Sequence, residues 1–185
     1  MVDAGRRIIL LVIYKYTSMA SFHTKTFTKH DDYMTPKSAW ENISHLIPKD
    51  KVIWEAFYCD GKSGEYLREL GFDVIHEDIN FFEENRGDIV VSNPPFTKVP
   101  EILSRLKSLE KPFIMIMPSS KIHTQYVRKL FCGNDDLQII IPRKRIQFDK
   151  IVDGVISSGK KACNFDCFYY CYKIGLPNSI IWLEK

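Results

Sequence analysis

The chain has 185 residues, of which 45% are hydrophobic and 13% aromatic, and its formal net charge is +3. That length gives one domain, or one domain with an appendage, and that composition excludes a disordered or low-complexity protein. The net charge is too small to name a partner.

Arg6-Arg7 and the apolar run Ile8 to Tyr14 open the chain, and Lys15 interrupts the run. It falls far short of the ~20 apolar residues a membrane helix needs, and no small-residue cleavage site follows it. No membrane is therefore expected. Residues 1–30 are read as an N-terminal extension or an extra strand, ahead of a single domain over 31–185.

Thr35-Pro36 starts a predicted helix, with Pro36 in its first turn and Ala39, Trp40, Ile43 and Ile47 on one face. Residues 51–57 read as a strand, followed by a Gly/Asp/Ser turn and a helix from about Gly64 to Leu70 that Gly71 ends. Strands are expected over 72–77 and 88–92, a helix over 99–109, and a strand over 112–117. Ser119/Ser120 are expected to cap a helix reaching Phe131. A strand over 137–141, a basic loop and a last strand over 163–172 complete the pattern. Strands alternating with helices make a doubly wound α/β sheet.

The cysteine count of five is odd. Cys163, Cys167 and Cys171 recur at a spacing that puts them on one face of a strand with Phe165 and Tyr169, as small core residues. A strand would hold the three sulfurs ~7 Å apart or more, so no metal site is expected. Reduced thiols point to an intracellular location. Between Lys121 and Cys163 stand nine Lys/Arg against four Asp, a candidate phosphate-binding footprint.

Asn93-Pro94-Pro95-Phe96 directly follows the apolar strand ending at Ser92. Two prolines fix two backbone torsions and remove two amide donors, and the residue before a proline is pushed out of the helical region. The product is a stiff turn offering the Asn93 side chain and the carbonyl oxygens of Asn93 and Pro94 as acceptors, backed by an aromatic ring. Rigid acceptors beside a flat apolar face suit a planar group that carries an NH2. Ligands of doubly wound sheets lie across the carboxyl ends of the strands, near the switch point. Gly61 and Gly64, after the first strand, allow a close backbone approach there.

On these residues the chain resembles the S-adenosylmethionine-dependent amino-methyltransferases with a (Asp/Asn/Ser)-Pro-Pro-(Tyr/Phe) signature, especially small adenine-specific nucleic-acid methyltransferases of phage and large-virus type. The resemblance implies a Rossmann-like class I methyltransferase, a mostly parallel doubly wound sheet with a C-terminal antiparallel strand or hairpin. It implies S-adenosyl-L-methionine as cofactor, contacted by Thr35, Pro36, Glu55, Phe57, Gly61, Gly64, Asp78 and Asn93. Against the family's Glu-Pro-x-x-Gly-x-Gly loop, Ala56 replaces the proline and Cys59 the first glycine. Asp78 fills one of two acidic stations; only 14 residues separate it from Asn93, too few for both with a full strand between. Arg143-Lys144-Arg145-Ile146-Gln147-Phe148 resembles the family's Arg-Ile/Val-x-Phe segment, before a final hairpin matched by Asn164 to Tyr172.

By the same resemblance Asn93, Pro94 and Phe96 carry the chemistry. Pro95, Phe96, Lys121, Arg143, Lys144, Arg145, Phe148, Asn164 and Phe165 meet the substrate. Accepting both N–H bonds of an exocyclic amine localises its lone pair and stabilises the charge that develops in attack. Asn at the first motif position implies methylation at N6 of adenine in DNA or RNA, with the basic 121–161 region on phosphate. A protein partner is one source of target recognition in so short a chain. A guanine amine in RNA and a protein glutamine amide use the same acceptor geometry, and an inactive nucleic-acid-binding subunit is the non-enzymatic alternative.

Overall fold

The computed structural model describes residues 33–133, 136–152, 155–157 and 165–184. The expected N-terminal extension, Lys160, Lys161, Cys163 and Asn164 lie outside the described residues. In chain order the strands are β1 (Tyr33–Met34), β2 (Ile53–Trp54), β3 (Val74–Ile75), β4 (Ile89–Ser92), β5 (Phe113–Pro118), β6 (Leu137–Ile141), β7 (Asp149–Val152), β8 (Val155–Ser157), β9 (Cys167–Tyr172) and β10 (Ile180–Trp182). The α-helices are α1 (Lys37–Ile43), α2 (Lys62–Glu69), α3 (Val99–Ser108) and α4 (Gln125–Phe131), with a 3-10 helix over Ser119–His123.

The main sheet has the order β10-β6-β9-β5-β4-β2-β3. Only β9 runs antiparallel, between β6 and β5; the other strands share one direction. This is an α/β Rossmann-like fold. From β2 the chain first crosses to β3 on one side and then to β4 on the other, so the carboxyl ends of β2 and β4 flank the topological switch point.

Both faces of this sheet are covered, and the alternation along each strand divides the core. Ile53, Val91, Ile114, Ile116, Cys167, Tyr169 and Cys171 point to one face, under Ala39, Trp40 and Ile43 of α1 and Leu67 of α2. Trp54, Val90, Phe113, Met115, Met117, Tyr170 and Tyr172 point to the other, under α3 and Val127 and Phe131 of α4. Cys167, Tyr169 and Cys171 share a face, as their spacing implied.

The crossover from β3 to β4 has no helix. Phe81 plugs it, fully buried and with its ring centroid 5.4 Å from that of Trp54 and 5.0 Å from that of Phe57. Arg105 on α3 ties the same stretch down, donating to the carbonyls of Phe81 and Glu84.

Three expectations change. The helix expected over 119–131 is a 3-10 turn and a separate α4, because Thr124 is extended (φ −72°, ψ 150°) and its hydroxyl donates to the Lys121 carbonyl, the local bond that competes with helix. Neither serine caps it; Tyr170 donates to the Pro118 and Ser119 carbonyls. The expected basic loop contains β7 and β8, which with β1 form a second, three-stranded antiparallel sheet. A further strand, β10, follows the antiparallel one and pairs parallel with β6. Among the described residues no helix is long and apolar enough to cross a membrane.

Candidate active site

A narrow cleft of ≈ 440 Å³, counting its open mouth, lies at the switch point and is lined by Tyr33, Thr35, Glu55, Phe57, Cys59, Asp60, Ser63 and Asn93 to Phe96. All four residues of the Asn-Pro-Pro-Phe turn thus line the cleft, Pro94 and Pro95 buried and Phe96 packed also against the core. Among the described residues the lining holds two carboxylates and no lysine or arginine, although the chain as a whole is basic.

Asn93 stands at the centre. Its Nδ2 donates to the Tyr33 carbonyl at 3.3 Å, while its Oδ1 is buried with no hydrogen-bond partner among the described residues. Reversing the amide would set oxygen against oxygen at the Tyr33 end, so the orientation is physically determined. A buried acceptor left unpaired costs about 1–3 kcal/mol; a donor entering the cleft removes that cost.

An aromatic wall rises beside it. Tyr33, Phe96, Phe148 and Phe165 contact one another: Tyr33 lies parallel to Phe96 at 6.2 Å, and Phe165 meets Tyr33 and Phe96 edge-on at 5.2 and 5.4 Å. Phe148 is fully buried and Phe165 half-buried. The wall draws on β1, the motif turn, the segment before β7 and the residue two before β9.

On the other side Gly61 (φ +83°) opens α2 in the left-handed region, where glycine carries no Cβ penalty. Cys59 holds a left-handed φ of +51° itself, so the backbone keeps a glycine-like course despite the side chain, whose Sγ meets Met34 Sδ at 3.1 Å. Thr35 and Phe57 line the cleft. Pro36 lies just outside it, at the N-cap of α1, and Gly61 and Gly64 flank it. Asp78 is exposed and does not line it.

Beneath the cleft lies a buried polar network. Glu55 follows β2, His76 follows β3 and Ser92 ends β4. The Ser92 hydroxyl donates to Glu55 Oε1, and His76 Nε2 lies 2.6 Å from Glu55 Oε2, with both side chains 1% exposed.

None of the expected substrate-side cations Lys121, Arg143, Lys144 and Arg145 lines the cleft. Arg145 pairs with Asp166 at 2.7 Å, Arg143 donates to the Glu184 carbonyl, Lys144 is exposed, and Lys121 is part of the 3-10 turn. Arg128 and Lys129 line a separate open hollow along α4 with Tyr126 and Cys132. Among the described residues no cluster of three or more His, Cys, Asp or Glu could hold a metal ion.

Tyr33, Ser63, Ser92 and His76 were not singled out from the sequence. Trp40, noted beside Thr35-Pro36, donates to the Ser63 hydroxyl at 3.3 Å. Ser92 carried a signal in its place directly before the motif, whereas Tyr33 carried none because its partners are remote in the chain.

No family model matches the chain, and no curated protein does. Solved structures are similar at low identity. A Pyrococcus horikoshii protein described as an RNA methyltransferase is 15% identical, over 93% of this chain and 99% of that one, with a TM-score of 0.43. A Listeria monocytogenes protein described as a class I S-adenosylmethionine-dependent methyltransferase is 13% identical, over 96% and 71%, with a TM-score of 0.41. The tRNA (m1A58) methyltransferase TrmI of Aquifex aeolicus is 12% identical, over 80% and 72%, with a TM-score of 0.36. The fold assignment rests on the strand order itself.

Proposed function

We propose that this chain is an S-adenosylmethionine-dependent N-methyltransferase acting on the exocyclic N6 amine of adenine in nucleic acid, working inside the cell with residues 31–185 as its one catalytic domain. The observation that carries this reading is the buried, unpartnered Oδ1 of Asn93 in a cleft at the switch point, with an aromatic wall beside it. An amine donor satisfies that oxygen, and a flat ring satisfies the wall.

The cleft suits the cofactor: among the described residues two carboxylates and no cation line it, which favours a sulfonium over a neutral or anionic ligand. Phe57, Asp60, Ser63 and the left-handed turn at Gly61 would hold the donor, with Thr35 and Glu55 at the boundary. S-adenosylmethionine supplies the methyl group on an electron-poor carbon, chemistry that is the cofactor's own. The chain's residues hold and orient the amine. Asn93 Oδ1 and the Pro94 carbonyl accept its two N–H bonds and favour a pyramidal nitrogen. Phe96 and Phe165 stack on or edge against the base and fix its plane. Glu55 accepts from Ser92 and lies against His76, and the reading assigns no residue among those described as a general base. A duplex target would have to present a flipped base; a looped or single strand avoids that cost. Lys121, Arg143, Lys144 and Arg145 would meet phosphate, and a separate protein partner would supply further target recognition.

The test is methyl transfer from labelled S-adenosylmethionine to DNA, RNA and protein, with Asn93→Ala as control. Label in N6-methyladenine that disappears in the variant supports the assignment. Label on glutamine, or undiminished transfer by the variant, overturns it.

A further inference from the structure

We propose that His76 is a positioning residue: together with Ser92 it clamps the Glu55 carboxylate across the carboxyl ends of three adjacent strands, and the clamp sets the donor half of the cleft. This inference rests on the reading of the cleft as a methyl-donor site.

The three residues follow or end β3, β2 and β4, which lie side by side in that order. Glu55 receives the Ser92 hydroxyl on Oε1, and His76 Nε2 lies against the other oxygen, Oε2, at 2.6 Å, a close polar contact without the alignment of a hydrogen bond. The pair is shut away from water, and neither His76 nor Ser92 lines the cleft. Neither of them touches a ligand there; each acts through Glu55, which does line it.

Each end of the clamp reaches a different part of the site. Ser92 directly precedes Asn93, so its hydroxyl bond holds the last strand residue before the acceptor turn. At the other end the His76 ring lies against the first turn of α2. A Cβ built on Gly64 would fall 2.1 Å from His76 Nδ1, so only glycine leaves room for the imidazole in this position. The Tyr58 ring closes the other side, 4.7 Å between centroids. Ser63, which lines the cleft, is the residue before Gly64. His76 therefore sets where α2 enters, Glu55 holds the middle, and Ser92 holds the approach to Asn93.

A merely structural buried pair would change stability and leave ligand affinity alone. The clamp makes a different demand: affinity for the donor must follow the polar contact at Nε2. His76→Gln places an amide NH2 near the imidazole Nε2, whereas His76→Leu keeps volume and leaves Glu55 with Ser92 alone. S-adenosylhomocysteine binding is measured by calorimetry on wild type and both variants, at temperatures where circular dichroism shows each folded. His76→Gln is expected within about threefold of wild type and His76→Leu at least about tenfold weaker, the scale of removing one polar partner from a buried group. Leucine binding like wild type, or glutamine failing as badly as leucine, overturns the inference. If His76→Leu does not fold, Ser92→Ala takes its place, with an expected weakening of about fivefold; unchanged affinity overturns the inference equally. Wild type that binds no S-adenosylhomocysteine instead removes the donor-site reading, and the clamp's proposed purpose with it.

Discussion

The Asn93 side-chain amide donates to the backbone carbonyl of Tyr33, 60 positions earlier in the chain, and that one bond decides which end of the carboxamide faces the cleft. Asn93→Asp removes the donor and turns a carboxylate oxygen towards the Tyr33 carbonyl. We expect it to lose about 1–2 kcal/mol of stability, read by urea unfolding, through the same loss of a partly buried hydrogen bond. Asn93→Ala, lacking either end, is expected to lower methyl transfer by about 100-fold or more, the cost of deleting one preorganised group aimed at developing charge. Transfer within about threefold of wild type would remove Asn93 from the mechanism.

Phe165→Ala opens the aromatic wall without touching the motif turn. Its edge-on contacts with Tyr33 and Phe96 are expected to matter for base affinity at about 1–3 kcal/mol, seen as a raised KM for nucleic acid at constant S-adenosylhomocysteine affinity. A loss of both affinities would show that Phe165 supports the fold instead.

Gly64→Ala forces a methyl group onto the His76 ring. Helix propensity alone would favour alanine by about 1 kcal/mol, but overpacking costs about 1–3 kcal/mol, and the 2.1 Å approach makes the second effect win. Urea unfolding should show net destabilisation; a stabilised variant would mean the ring moves away freely.

Cys59→Gly tests the left-handed residue. A side chain in that region costs roughly 1–2 kcal/mol, opposed by the backbone entropy of glycine and by the lost contact with Met34. Stability is expected to stay level or rise by up to about 1 kcal/mol; a clear fall would show that the sulfur contact outweighs the backbone cost.

Thiol labelling should divide the cysteines. Cys132 is exposed, while Cys167 and Cys171 are buried in β9, and burial pushes the Cys171 thiol well above its usual range. The thiolate is the reactive form, so native protein at pH 8 should modify Cys132 rapidly and Cys171 only after denaturation. Rapid native labelling of Cys171 would contradict its place in the core.

The Asn93–Phe96 turn was legible as a stiff turn beside a cleft because four contiguous residues carry its rigidity. The sheet was legible too, since strands such as 113–118 are short unbroken apolar runs buried on both faces. Tyr33 was not, because its role comes from pairing with Lys150 and packing on Phe148 and Phe165, contacts that no local pattern encodes. His76 was hidden for another reason. A histidine after a two-residue strand reads the same whether it faces water or a buried glutamate, and only the burial of Glu55 separates the two. The break at Thr124 was missed because helical spacing over 119–131 says nothing of a hydroxyl that bonds its own backbone.

The cleft is assembled from contacts of unequal range. The Glu55–Ser92 bond closes a separation of 37 residues, whereas the Tyr33–Phe148 contact spans the chain from residue 33 to residue 148. Loop-closure entropy makes the longer connection dearer by roughly 1 kcal/mol. The floor of the cleft can therefore form early, from nearby strands, while the aromatic wall waits for the chain to return on itself; under the proposed function, a newly made molecule would acquire its grip on the methyl donor before its grip on the target.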